Sequence, residues 1–226
     1  MRHQTMERIT AGRVIASIAG AKAERLVPTA EALLEGSIDC IQISFDPRGD
    51  QSDSDVAAQI KMLADRFGDE LCLGASGVRK PEQVRMAHEA GAQFISTCAA
   101  DQVIIRMTRD FEMVSMPGAF TPAEIDTAYR MGGDLIRLFP ASFLGTEYLD
   151  QLRQPLGHIP LAACGGISVW NMRAFLDAGC AAVELDHGLM DELYKPECDF
   201  GVLAETAKAY RTIAVSERGE RNRSLK

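Results

Sequence analysis

The residue whose type and position most call for chemistry is an arginine inside a strand. Residues 135–139 read LIRLF and are stopped by Pro140. Successive strand side chains alternate faces, so Leu135, Arg137 and Phe139 point the same way. If that way is inward, a guanidinium lies in a low-dielectric interior and needs an acidic partner or an anionic ligand. Glu184 and Asp186, in the run CAAVELDH at 180–187, are the acids placed to serve as partner. With a ligand instead, the planar fork of Arg137 clamps a carboxylate bidentately. Gln42, Ser76, Thr97 and the backbone amides of Gly165 and Gly166 then surround it. Both uses of Arg137 stay open: an internal pair that fills space, or a substrate clamp.

Other candidates sit near the ends of strands. His187 closes the 180–187 run and is placed for a general base. Asp46, Asp186 and His187 fall on one rim, but their spacing matches no recognised metal signature, so neither metal nor cofactor is expected. Cys98 and Cys164 end strands without a His–acid partner in sequence, which argues against nucleophilic roles. The six cysteines show no CxxC spacing and read as free thiols in a reducing cytoplasm. The lysines are Lys22, Lys61, Lys80, Lys195, Lys208 and Lys226, and none falls within a predicted strand.

These residues need a scaffold, and the chain supplies an alternation of strand and helix. Strand signals fall at 14–19, 40–45, 71–76, 94–98, 112–118, 135–139, 160–166 and 180–187. On the second, Ile41, Ile43 and Phe45 form an apolar face for packing against helices, which turns Cys40, Gln42 and Ser44 inward. Helical patterns fill the gaps at 22–37, 55–67, 81–90, 101–109, 122–131, 147–157 and 169–179, with a last one at 201–215. Pro28 marks a kink or break in the first of these, Pro155 ends the 147–157 helix, and Ser168 caps the helix after it. Residues 1–12 read as a short polar helix on the outside or a loose end. Eight strands interleaved with helices predict an α/β fold, a single (β/α)8 barrel over residues 1–215. The charged stretch at 216–226 reads as a disordered tail.

Composition sets outer limits. The chain has 226 residues, 46% hydrophobic and 25% charged, which suits one domain with a sizeable core. A net charge of −8 argues against a nucleic-acid surface, though not against a locally positive pocket for a small anion. No apolar run reaches membrane-spanning length, and the first residues lack an apolar signal core, so a cytoplasmic protein is expected.

GDLIRLFPAS at 133–142, MPGAFTPAEI at 116–125 and ACGGIS at 163–168 resemble the 2-keto-3-deoxy-6-phosphogluconate / 4-hydroxy-2-oxoglutarate aldolases. The resemblance runs from about Arg13 to Met190. It implies a class I aldolase barrel, a homotrimer, and carbon–carbon lyase chemistry on small 2-keto acids in sugar-acid catabolism. It also implies a Schiff-base lysine where this chain has Arg137, and a general acid/base glutamate where it has Gln42. The family's carboxylate-binding arginine falls on Asp46, its threonine after strand three on the Ser76 segment, and its proline after strand four on Thr97. Its glycine–serine phosphate turn after strand eight falls on Leu185-Asp186-His187. Phe139-Pro140 and the Gly165-Gly166 turn are retained. A guanidinium stays protonated at any working pH and is no amine nucleophile. The expectation is therefore a relative that acts on or binds a small 2-keto acid or sugar acid with weak or absent Schiff-base activity. The alternatives are a non-catalytic barrel, or an enolising or epimerising enzyme using Arg137 and His187.

Overall fold

A computed structural model describes residues 1–46 and 48–216. The chain opens with helix α1 (Arg2–Gly12), then alternates β1 (Val14–Ala19), α2 (Ala23–Glu35), β2 (Cys40–Ser44), α3 (Asp53–Phe67), β3 (Cys72–Ser76), α4 (Pro81–Glu89) and β4 (Phe94–Ser96). It continues through α5 (Gln102–Asp110), β5 (Val114–Met116), β6 (Gly118–Ala119), α6 (Pro122–Arg130), β7 (Ile136–Leu138), α7 (Ala141–Leu156), β8 (Leu161–Ala163), α8 (Met172–Asp177), β9 (Ala182–Leu185) and α9 (Phe200–Val215). Every strand pairing is parallel, in the order β5-β4-β3-β2-β1-β9-β8-β7-β6. The two ends of that order, β5 and β6, are halves of one strand on either side of Pro117, whose ring nitrogen cannot donate to a ladder. The sheet therefore closes on itself as the expected (β/α)8 barrel.

The helix starts follow from side-chain caps. Ser52 with Asp55, and Thr121 with Glu124, form reciprocal capping boxes at α3 and α6. Asp101 and Asp199 each accept two backbone N–H groups at the starts of α5 and α9. The outward strand faces (Ile41, Ile43, Leu73, Ala75, Ile136, Leu138) pack against this ring of helices in one large core. A second apolar cluster lies inside the barrel floor: Ile15, Cys40, Cys72, Phe94, Val114, Met116, Leu135, Ala162 and Ala182.

Three elements depart from expectation. Helix α1 is neither loose nor on the outside: Ile9 inserts into the floor cluster and closes the N-terminal end of the barrel. Arg8 ties it to the Asp39 carboxylate and to the carbonyls of Asp69 and Glu70. Helix α7 starts at Ala141, turns at Gly145 (φ 71°, ψ 178°), and carries Pro155 within its last turn instead of stopping before it. Helix α8 spans only Met172–Asp177, because Ser168 opens a separate turn. Its N–H donates to Asn171 Oδ1, and its carbonyl accepts from the N–H of Asn171 and Met172. Pro28 leaves α2 continuous. Of the expected tail at 216–226, residues 217–226 lie outside the described residues. Among the described residues no helix is long and apolar enough to cross a membrane.

Candidate active site

Strand tilt decides which inward residues meet. The ladders pair Ser17 with Gln42, Gln42 with Gly74 and Gly74 with Phe94 on one side of the barrel. On the other side they pair Gly118 with Arg137, Arg137 with Ala162 and Ala162 with Ala182. A barrel of this type shears by about one residue per strand, and alternate strands supply each four-residue layer. Counted so, Gln42, Ser96, Arg137 and Glu184 share one layer. Ser17, Ser76, Gly118 and Cys164 form the next layer towards the C-terminal mouth, and Ser44, Cys98, Phe139 and Asp186 the rim. Below them come Ile15, Gly74, Met116 and Ala162, where the apolar floor begins. The interior is thus apolar in its lower half and polar in its upper half.

Arg137 points inward and its partner is Glu184, not Asp186. Nε donates to Oε2 at 2.7 Å and Nη2 to Oε1 at 2.8 Å, a bidentate pair with side chains 9% and 4% exposed. Nη1 lies 3.9 Å from Cys98 Sγ, and the guanidinium stacks 4.8 Å from the Phe139 ring. Burial works against the charge of Arg137, but Glu184's charge and hydrogen bonds outweigh it, so the pKa ends above its ordinary value. Burial, reinforced by Glu184, pushes the Cys164 thiol well up, which removes it as a thiolate nucleophile. Gln42 is fully buried and its Nε2 donates to Ser17 Oγ at 3.1 Å. Gln42 Oε1 and Ser96 Oγ have no hydrogen-bond partner among the described residues.

The remaining candidates divide. Ser76 and the Gly165-Gly166 turn stand at the mouth. Both glycines have positive φ (84° and 71°), and a Cβ on Gly166 would lie 2.0 Å from Ser142 Oγ. Asn171 Nδ2 pins the turn through the Gly166 carbonyl at 2.9 Å. Thr97 is turned away, its hydroxyl donating to the Ala99 carbonyl at 2.7 Å. Its neighbours Ser96 and Cys98 carry the inward face, a parity visible in the alternation Phe94, Ser96, Cys98. Asp46 folds back on its own loop and accepts the N–H groups of Arg48, Asp50 and Gln51. Asp186 accepts the N–H of His187 at 2.7 Å. The His187 side chain is 91% exposed, 3.7 Å from Asp191, outside the polar interior. A cleft of about 390 Å³ opens beside Cys98, Gly118, Phe120 and Phe139. Among the described residues no group of His, Cys, Asp and Glu is arranged to hold a metal.

The family model for KDPG and KHG aldolase matches residues 5–192. The chain belongs to this aldolase family. It is 30% identical over 199 residues to the 2-dehydro-3-deoxy-6-phosphogalactonate aldolase of Escherichia coli K12, covering 87% of this chain and 92% of that one. It is 26% identical over 174 residues to the 2-dehydro-3-deoxy-phosphogluconate aldolase of Haemophilus influenzae, with 76% and 79% covered. A solved native KDPGal structure superposes with a TM-score of 0.77 at 28% identity, over 88% of this chain and 93% of that one. Within this aldolase fold, the centre of the barrel here holds a closed ion pair.

Proposed function

We propose that the chain binds a small 2-keto acid or sugar acid at the barrel mouth and does not cleave it through a lysine Schiff base. The observation that carries this is the state of Arg137. Its Nε and Nη2 are committed to Glu184, while Nη1 faces Cys98 and the rim. That leaves a cation fixed at the centre of the site with one edge able to meet a carboxylate. It also leaves no amine there: a guanidinium held on a carboxylate cannot become a nucleophile. The lysines after β1, β3 and β9 are poor substitutes. Lys22 is exposed, Lys80 sits 2.7 Å from Asp53, and Lys195 is held protonated by its bond to Glu192. Gln42, standing where the resemblance puts the acid/base glutamate, exchanges no proton.

This proposal carries a setting with it: a cytoplasmic homotrimer, as expected from the sequence and the resemblance, working on sugar-acid carbon skeletons such as those in the relatives' names. A second reading, a purely structural barrel, draws on the same pair, because Arg137 and Glu184 satisfy one another. Borohydride reduction in the presence of pyruvate, with melting measured in parallel, separates the possibilities. We expect no covalent adduct and a ligand-dependent rise in Tm. A stable adduct would refute the loss of Schiff-base chemistry, and an unmoved Tm across small acids would favour the structural barrel.

A further inference from the structure

The polar layer in mid-barrel sets a hydrogen-bonding requirement more specific than a negative charge. Arg137 brings five N–H groups. Two are on Glu184, and the remaining edge faces the rim. In the same layer Gln42 is fully buried, with its Nε2 on Ser17 and its Oε1 unpartnered among the described residues. Ser96 Oγ, 1% exposed, is unpartnered there too. A serine hydroxyl both donates and accepts, so Ser96 grips any polar group. An amide oxygen only accepts and must be met by a donor. Each Glu184 oxygen already accepts from Arg137, whereas Gln42 Oε1 accepts from nothing among the described residues, so it is the acceptor that gains most from a ligand donor.

We propose that this layer recognises a short 2-hydroxy monocarboxylic acid in preference to the corresponding 2-keto acid. The carboxylate lies on the free edge of Arg137, and the hydroxyl on C2 donates to Gln42 Oε1. A 2-keto acid presents only acceptors next to its carboxylate, so it leaves the Gln42 oxygen buried and unpaired. A second acid group is disfavoured by Asp186 on the rim, whose carboxylate already caps the His187 N–H. Phe139, stacked on the guanidinium, covers one side of the ligand's carboxylate seat. The proposal rests on the reading that the mouth binds small acids, and it specifies the oxidation level at C2.

Calorimetry on the full chain with lactate, glycerate and pyruvate tests it directly. The hydroxy acids should bind at least about tenfold more tightly than pyruvate, the size expected for one buried unpaired acceptor. Gln42→Met removes the acceptor at similar volume and should bring the ratio to within about twofold, as a lost discriminating bond requires. Should Gln42→Met fail to fold, Ser96→Ala supplies the control. It should weaken both acids alike and keep the wild-type ratio, since Ser96 does not distinguish them. Pyruvate binding as tightly as lactate or more so would overturn the preference while leaving the binding reading intact. No binding of any of the three by folded protein would overturn that reading, and the preference with it.

Discussion

Removing Glu184 strands a cation that cannot neutralise itself. Both side chains of the pair are nearly inaccessible, so solvent screens little of the loss, and the apolar layers beneath provide no other acceptor. Breaking a buried, bidentate pair by deleting one partner costs about 3–5 kcal/mol. For a chain of this size about 1 kcal/mol corresponds to roughly 2–4 °C, so Glu184→Leu should lower Tm by roughly 6–20 °C. Replacing both partners removes the stranded charge. Arg137→Met with Glu184→Leu should regain most of the loss, because apolar replacement of a buried pair is commonly neutral or stabilising by about 1–4 kcal/mol. The two single variants should also differ in pH response. A carboxyl left alone by Arg137→Met can take up a proton, so its penalty shrinks in acid, whereas a guanidinium left by Glu184→Leu cannot shed one. In the wild type, a raised Arg137 pKa contributes stability that is complete below the guanidinium's unfolded pKa and is lost only as pH rises through the still higher folded value. Urea titrations of wild type, both singles and the double, at pH 5 and pH 8, complete the cycle. A Glu184→Leu cost below about 1 kcal/mol, the range of exposed pairs, would refute the buried, desolvated pair.

Arg137→Lys combined with Gln42→Glu should produce a pyruvate adduct trappable by borohydride, with neither single change doing so, because amine and proton relay act as a unit; an adduct in Arg137→Lys alone would show the glutamate to be dispensable. Phosphorylated sugar acids should bind more weakly than their unphosphorylated forms, since Asp186 occupies the rim and caps the His187 N–H; micromolar affinity for a phosphosugar acid by calorimetry would contradict this. Gly74→Ala should cost about 1–3 kcal/mol by urea denaturation, because its Cβ would lie 2.2 Å from the Phe94 ring. Backbone hydrogen bonds from Arg48, then Gln51 and Asp50, hold the Asp46 carboxylate below its usual range. Its bonds to the loop are therefore complete above the ordinary aspartate pKa and fail as pH falls through the lower folded value. The amide resonances of these three residues should shift together only below about pH 3.9.

Strand-by-strand alternation was enough to place all eight barrel segments and to turn Gln42 and Arg137 inward, because a period of two is a local property of the chain. Depth in the barrel is not local. Glu184, in β9, and Asp186, just past its end, have the same parity, and only the shear around the closed sheet decides that Glu184 lies level with Arg137. Thr97 was misplaced for the opposite reason. It stands where the resemblance puts the family's proline, but strand parity gives the interior to Ser96 and Cys98. Position at strand ends points to His187 as a general base and Asp46 as a substrate-site residue, yet Asp46's direction is set by loop backbone: it caps three N–H groups of its own loop. The polar sequence of α1 concealed its closing role, which depends on Ile9 meeting residues from most of the strands.

The closure of the sheet has a consequence for how the protein is made. Strand β1 pairs on one side with β2 and on the other with β9, through Val14 with Val183 and Ile15 with Glu184. During synthesis from the N-terminus, one edge of β1 therefore stays unsatisfied until residues 182–185 have been added. Helix α1, though made before any of the strands, cannot complete its seat before Ala182 arrives. An open parallel edge beside an unburied apolar floor is the geometry that invites pairing with another chain. Through most of its translation, then, the nascent polypeptide carries an unpaired strand edge and an unburied floor, and the arrival of β9 ends that exposure.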